Sequence, residues 1–178
     1  MTRAIATLAG GCFWCIETVF NRLRGVESAV SGYMGGHTLD PTYEDICNGD
    51  TGHAEVVQVT YDPDVIAYRD LLDIFFTLHD PTQLNRQGND VGTQYRSAIF
   101  CHTPEQQAEA AAKIAELTAA RAFGAPIVTA IVEASPFYPA EDYHQGYYRQ
   151  HPAQPYCQFV VAPKIAKAEA KFHDKLRQ

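Results

Sequence analysis

The sequence predicts an α+β fold, an α/β sandwich in which helices pack on a mixed central sheet. Short β-branched apolar runs alternate along the chain with stretches whose apolar residues recur at helical spacing. The 178 residues are one domain's worth and enough for a sizeable core. No internal repeat or low-complexity tract divides them, so one domain is expected over 1–178.

The elements follow in order. Residues 4–10 read as a buried strand that leaves through Gly10-Gly11. Residues 15–23 read as a helix, with Ile16, Val19, Phe20 and Leu23 on one face and Gly25 as its stop. A second strand, 26–33, ends at Gly35-Gly36, and a long polar loop occupies 37–52. Loops of that length in a compact domain are often functional. Residues 54–61 form a β-branched strand closed by Asp62-Pro63, and 68–79 an amphipathic helix stopped by Asp80-Pro81. A second polar loop, 82–96, leads to a short strand at 97–101. Thr103, Pro104 and Glu105 are a helix start: a hydroxyl cap, proline at the first position and a carboxylate in the first turn. The alanine-rich helix that follows runs to about residue 122. A strand at 127–134, an irregular segment at 135–155 rich in aromatics and proline, a short strand at 159–161 and a helix at 163–177 complete the chain.

Composition excludes several classes of function. The formal net charge is −7 and no basic cluster stands out, which disfavours nucleic acid, whose phosphates need Lys and Arg. No segment approaches the ~20 apolar residues of a membrane span. Met1-Thr2-Arg3 runs straight into a strand without a signal-peptide pattern, so a cytoplasmic location is expected. The five cysteines, odd in number and unevenly spaced, do not make a disulfide framework.

The stretch Gly10-Gly11-Cys12-Phe13-Trp14-Cys15-Ile16-Glu17 carries the chemistry. Glycines permit a tight strand-to-helix turn and close approach of a ligand. Cys12 falls at the helix start, where unpaired N–H groups and the positive end of the dipole favour a thiolate. Phe13 and Trp14 would set an apolar wall beside that sulfur, which suits a small apolar group carrying a polar atom. Glu55 opens a strand. If it shares a face with Val57 and Val59 it points into the core, where burial raises a carboxyl pKa and makes it a general acid near neutral pH. The alternative is a solvated strand-end residue. Tyr43 and Tyr95 offer hydroxyl donors from polar loops, although spacing does not single them out of ten tyrosines. Asp90 reads equally as a turn residue. His53 and His144 are either metal ligands or ordinary hydrogen-bonding histidines. Cys12 and Cys15 form one C-x-x-C without a second to complete four ligands, so no metal is expected.

Together these stretches resemble the peptide methionine sulfoxide reductases of the A type. The matching segments are Gly11-Cys12-Phe13-Trp14, Ser31-Gly32-Tyr33-Met34-Gly35-Gly36, Pro41-Thr42-Tyr43-Glu44, the run from Gly49 to Val56, and His79-Asp80-Pro81-Thr82. The runs from Gln87 to Ser97 and from Pro136 to Gln145 match too. They cover nearly the whole chain in family order. The resemblance implies Cys12 as nucleophile, passing through a sulfenic acid. It implies Phe13 and Trp14 around the substrate methyl, Glu55 as proton donor, Tyr43 and Tyr95 on the sulfoxide oxygen, and Asp90 in support. It further implies free or protein-bound methionine-S-sulfoxide as substrate, thioredoxin as the external thiol reductant, and no bound cofactor. A monomer is expected. Many members of the family carry resolving cysteines in a glycine-rich tail. Here Cys157 precedes an apolar run instead, and Cys15 stands where others often have glycine. Cys15 is therefore the preferred resolving thiol and Cys157 the alternative. Cys47 and Cys101, each beside an apolar neighbour, are expected to be buried structural thiols. A general disulfide reductase using Cys12 and Cys15, or a non-turnover sulfoxide sensor, are the competing functions. Only the reductase requires both the Glu55 acid and turnover.

Overall fold

In the computed structural model of the chain, which describes residues 3–11, 13–88, 90–151 and 153–176, the sheet is built from β1 (Ala4–Gly10), β2 (Val26–Met34), β3 (Ala54–Tyr61), β6 (Ser97–Cys101), β7 (Ala130–Glu133) and β8 (Tyr138–Pro139). Their order is β7-β6-β1-β3-β2-β8. The β6–β7 pair is parallel and the other pairs are antiparallel, so the sheet is mixed as expected. A separate ribbon pairs β4 (Arg86–Gln87) with β5 (Asp90–Val91).

Strand alternation sorts the side chains. Ala6, Leu8, Val57, Val59 and Ile99 face one side, where they pack with α1 (Phe13–Asn21), α3 (Tyr68–Leu78) and α6 (Ala162–Lys171) through Phe20, Leu71, Leu72, Phe75, Ile165 and Ala168. Ala9, Met34, Ala54, Val56, Ala98 and Phe100 face the other side, against Ala134 and Phe137. The helix α4 (Pro104–Ala119) starts as predicted, with the Thr103 hydroxyl accepting from Gln106 N–H. The antiparallel register also decides where chemistry can gather. Gly10 lies opposite Ser97, and Tyr33 opposite Glu55. The end of β1, the end of β2 and the starts of β3 and β6 therefore meet at one end of the sheet.

Several predicted segments differ. The loop 37–52 contains a short helix, α2 (Tyr43–Asn48), closed at both ends by local chemistry. The Thr42 hydroxyl accepts from Asp45 N–H at 3.1 Å, the Asp45 carboxylate accepts from Thr42 N–H at 3.0 Å, and Gly49 takes the left-handed conformation. This capping box was present in the sequence as Thr42-x-x-Asp45, but six residues are too few to show a helical apolar stripe. The loop 82–96 contains the β4–β5 ribbon and a 3₁₀ turn, Thr93–Tyr95. Within the irregular segment lie β8, a 3₁₀ turn Asp142–His144 and α5 (Tyr147–Gln150). The strand expected at 159–161 is instead a π-helical turn, Cys157–Val161, running directly into α6. Phe159, Val160 and Val161 suggest a strand by composition. Pro163, however, has no N–H and its ring opposes the carbonyl four residues back, and a widened turn accommodates it.

Thr42→Ala should cost about 1 kcal/mol and lower the melting temperature by about 3 °C. Thr42→Ser should retain most of that stability. Thermal denaturation followed by circular dichroism is the check.

Candidate active site

Cys12 lies outside the described residues, so the site is built from its neighbours. Gly11 has φ +91°, and a Cβ there would sit 2.7 Å from the Gln87 side chain. A Cβ on Gly10 would come 2.9 Å from the His79 ring. Both glycines are required by this crowding. Gln87 is itself locked, its Oε1 accepting from Asp80 N–H at 2.8 Å and its Nε2 donating to the Asp80 carbonyl at 3.0 Å. His79 is fixed between the Phe75 carbonyl at 2.8 Å and the Ser97 hydroxyl at 2.7 Å, and burial holds its pKa down at about 4. The carbonyl can only accept, so Nδ1 carries the proton and the hydroxyl donates to Nε2.

Glu55 shares the inner face with Val57 and Val59, as strand alternation requires. It is 2 % exposed, which removes the solvated alternative. Its Oε1 accepts from Phe13 N–H, one of the donors that the first turn of α1 cannot satisfy internally, at 3.3 Å. Burial pushes its pKa up to about 8, with Phe13 N–H pulling the other way and nearby Asp90 adding to the rise. The group is therefore a neutral acid at pH 7. Since Oε1 is occupied as an acceptor, the proton belongs on Oε2.

Around it stands an aromatic wall. Trp14 stacks on Tyr147 with ring centroids 4.0 Å apart and planes 12° from parallel. The Glu17 carboxylate accepts from Gly146 N–H and so ties α1 to the start of α5. Glu141 accepts from the Tyr33 hydroxyl at 3.0 Å and from Tyr43 N–H at 2.9 Å, which anchors α2 and places Tyr43. A cavity of about 260 Å³ results, lined by Trp14, Tyr43, Glu55, Asp90, Tyr95, Gln154 and Tyr156. Five residues singled out in the sequence thus converge. Phe13, 1 % exposed, does not line the cavity; it stacks behind Tyr43. Gln154 and Tyr156 were not anticipated, nor were Glu17 and Glu141. Tyr156 donates to the Asp90 carboxylate, which ties the segment before Cys157 to the cavity. For Glu17 a signal existed: a carboxylate flanked by Ile16, Val19 and Phe20 on the apolar side of a helix.

The other thiols divide by burial. Cys15 and Cys157 are both buried, and desolvation raises the Cys15 pKa to about 11. Cys157 lies close enough to Cys15 to add to that rise. Cys101 is buried as expected, whereas Cys47 is exposed on α2 beside the Tyr43 side chain, because Ile46 alone turns inward there. Among the described residues no three His, Cys, Asp or Glu side chains cluster as metal ligands would, and no helix is long and apolar enough to cross a membrane.

Comparison with known proteins adds a family to this geometry. Residues 4–176 match the family profile described as "Peptide methionine sulfoxide reductase". The peptide methionine sulfoxide reductase MsrA of Ralstonia nicotianae is 60% identical over 97% of this chain and 92% of its own. Reduced Mxr1 of Saccharomyces cerevisiae superposes with a TM-score of 0.79 at 39% identity, over 85% of this chain and 87% of that one. Mxr1 in complex with Trx2 superposes with a TM-score of 0.56 at 31% identity, over 82% and 84%.

Glu55 makes stability depend on pH. Its folded pKa of about 8 lies above the ordinary 4.5, so between those values the folded chain keeps a proton the unfolded chain has released. Stability from this group should fall as pH rises from about 4.5 to 8. Glu55→Gln should remove that part of the slope, as read by urea denaturation across the range. Identical slopes in both proteins would contradict the buried, protonated carboxyl.

Proposed function

The chain belongs to the peptide methionine sulfoxide reductase family, and we propose that it reduces methionine-S-sulfoxide, free or in proteins, through a Cys12 thiolate with Glu55 as the acid. The observation that carries this reading is a neutral, buried carboxyl beside an aromatic wall in one small cavity, joined by hydrogen bond to the residue next to Cys12.

A sulfoxide oxygen is a strong acceptor, and protonating it makes the sulfur electrophilic. The Cys12 thiolate attacks that sulfur while Glu55 Oε2 gives its proton to the oxygen. The resulting hydroxyl passes to the cysteine sulfur, releasing methionine and leaving a Cys12 sulfenic acid. The thioether sulfur gains two electrons and the cysteine sulfur loses two. Tyr43 and Tyr95 line the same cavity and are suited to hold the oxygen as charge develops there. Trp14 faces the substrate methyl, with Phe13 bracing Tyr43 from behind. Asp90 supports the cavity through Tyr156.

A second thiol then attacks the sulfenic sulfur and expels water, forming a disulfide. Cys15, three residues from Cys12 in α1, is our first choice, and Cys157, next to cavity-lining Tyr156, is the alternative. Both are buried, so either requires local opening. Thioredoxin would reduce the disulfide, as supported by the yeast relative captured with Trx2. A monomer in the cytoplasm, where thiols stay reduced, suits this cycle.

Cys12→Ser should abolish reduction of methionine-S-sulfoxide with dithiothreitol. Glu55→Ala should lower kcat by about 10²- to 10⁴-fold, the range for a lost general acid. Wild-type inactivity toward both epimers would refute the proposal. Cys15→Ser should keep one stoichiometric turnover but lose thioredoxin-dependent cycling, and mass spectrometry of the oxidised wild type should show a Cys12–Cys15 link. A Cys12–Cys157 link would overturn the choice of Cys15.

A further inference from the structure

Trp14 is the single tryptophan of the chain. Its indole Nε1–H donates to Nδ1 of His144 at 3.2 Å, and the two rings lie 6.0 Å apart, 28° from parallel. An indole N–H only donates, so Nδ1 must present a lone pair and the imidazole is neutral with its proton on Nε2. His144 is 2 % exposed, and its Nε2 is buried with no hydrogen-bond partner among the described residues. A buried donor left unmatched costs stability. The ring is nonetheless confined, with Tyr143 at 4.1 Å, Tyr43 at 4.3 Å and Phe13 at 5.4 Å between ring centroids. Burial lowers its pKa while nearby Glu141 opposes this, which favours the neutral form.

Stacking alone does not fix an indole. Tyr147 lies flat on Trp14 and Tyr156 meets it edge-on, but both contacts tolerate rotation of the indole within its own plane. A directional hydrogen bond to Nε1 removes that freedom. We infer that His144 is a positioning residue: accepting from the indole, it sets the orientation of Trp14 in the cavity wall. Nε2–H, without a partner among the described residues, is the cost of keeping Nδ1 as that acceptor. This inference rests on the proposed role of Trp14 in holding the substrate methyl.

With one tryptophan, a ¹⁵N-correlated NMR spectrum contains a single indole N–H signal, and it reports on this bond directly. In the wild type it should exchange with solvent far more slowly than free indole. His144→Phe keeps a ring but no acceptor. It should shift the signal, speed its exchange, and raise KM for methionine-S-sulfoxide by about five- to tenfold with kcat within about twofold, the pattern of lost ground-state binding. His144→Asn, whose side-chain oxygen takes the place of Nδ1, should recover most of both effects. A wild-type indole proton that exchanges like free indole overturns the inference even if the Phe variant does not fold. So does an Asn variant no better than the Phe variant. The exchange measurement needs no turnover, so failure of the reductase reading is seen separately as absence of activity.

Discussion

The hydrogen bond from Phe13 N–H to Glu55 Oε1 is the contact on which the cavity depends. It joins the first turn of α1, where the chain has just left β1, to the start of β3. It satisfies a donor that every helix start leaves open, using a carboxyl that the sheet has already buried. Burial and this one donor act in opposite directions on the carboxyl, and burial prevails. An acid that keeps its proton at pH 7 therefore stands beside the place where a helix start favours an anion. Acid and thiolate require opposite environments: the buried start of β3 supplies the first, and a helix start such as that of α1 suits the second.

The remaining framework serves to keep that turn and its wall in place. On one side Gln87 and His79 crowd against Gly11 and Gly10. On the other, the segment from Tyr138 to Gln150 is bound down by polar contacts as well as by the short β8–β2 pairing. Gln145 accepts from Ser31 N–H at 3.0 Å and donates to the Ser31 carbonyl at 2.9 Å, Glu141 bridges β2 and α2, and Glu17 receives Gly146. Glu17, which is buried, and the half-buried Glu141 and Gln145 exchange hydration for fixed hydrogen bonds, and the gain is a defined geometry.

Much of this was legible in the chain. The β-branched run from Ala54 to Tyr61 marked a strand, and the Gly-Gly pair after β1 marked the turn. The chain left Glu55 open between an inward-facing acid and a solvated strand-end residue, because Val56 and Val57 are both apolar and buried and blur the alternation. The helices α1 and α3 were visible as apolar faces with stops and α4 by its Thr103-Pro104-Glu105 start, to within a few residues. What could not be read has physical reasons. α2 is too short to show periodicity, and only its caps betray it. The π-helical turn at Cys157–Val161 carries strand-like residues, and its helical state comes from continuity with α6. Cys47 has an apolar neighbour, yet on a six-residue helix only one side meets the core, and Ile46 takes it. Tyr43, Tyr95 and Asp90 could be selected only by resemblance, because convergence of two distant loops, 37–52 and 82–96, on one cavity is a long-range property. Tyr156 and Gln154 reach the same cavity from the far end of the chain, with no local pattern to announce them.

The proposed chemistry stands on the protonation state of one side chain. Isotope-edited infrared spectroscopy, comparing wild type with Glu55→Gln across pH, isolates the Glu55 carboxyl. A protonated carboxyl band present at pH 7 and lost with a midpoint near 8 is the predicted result. An ionised carboxylate at pH 7, titrating near the ordinary 4.5, would contradict it.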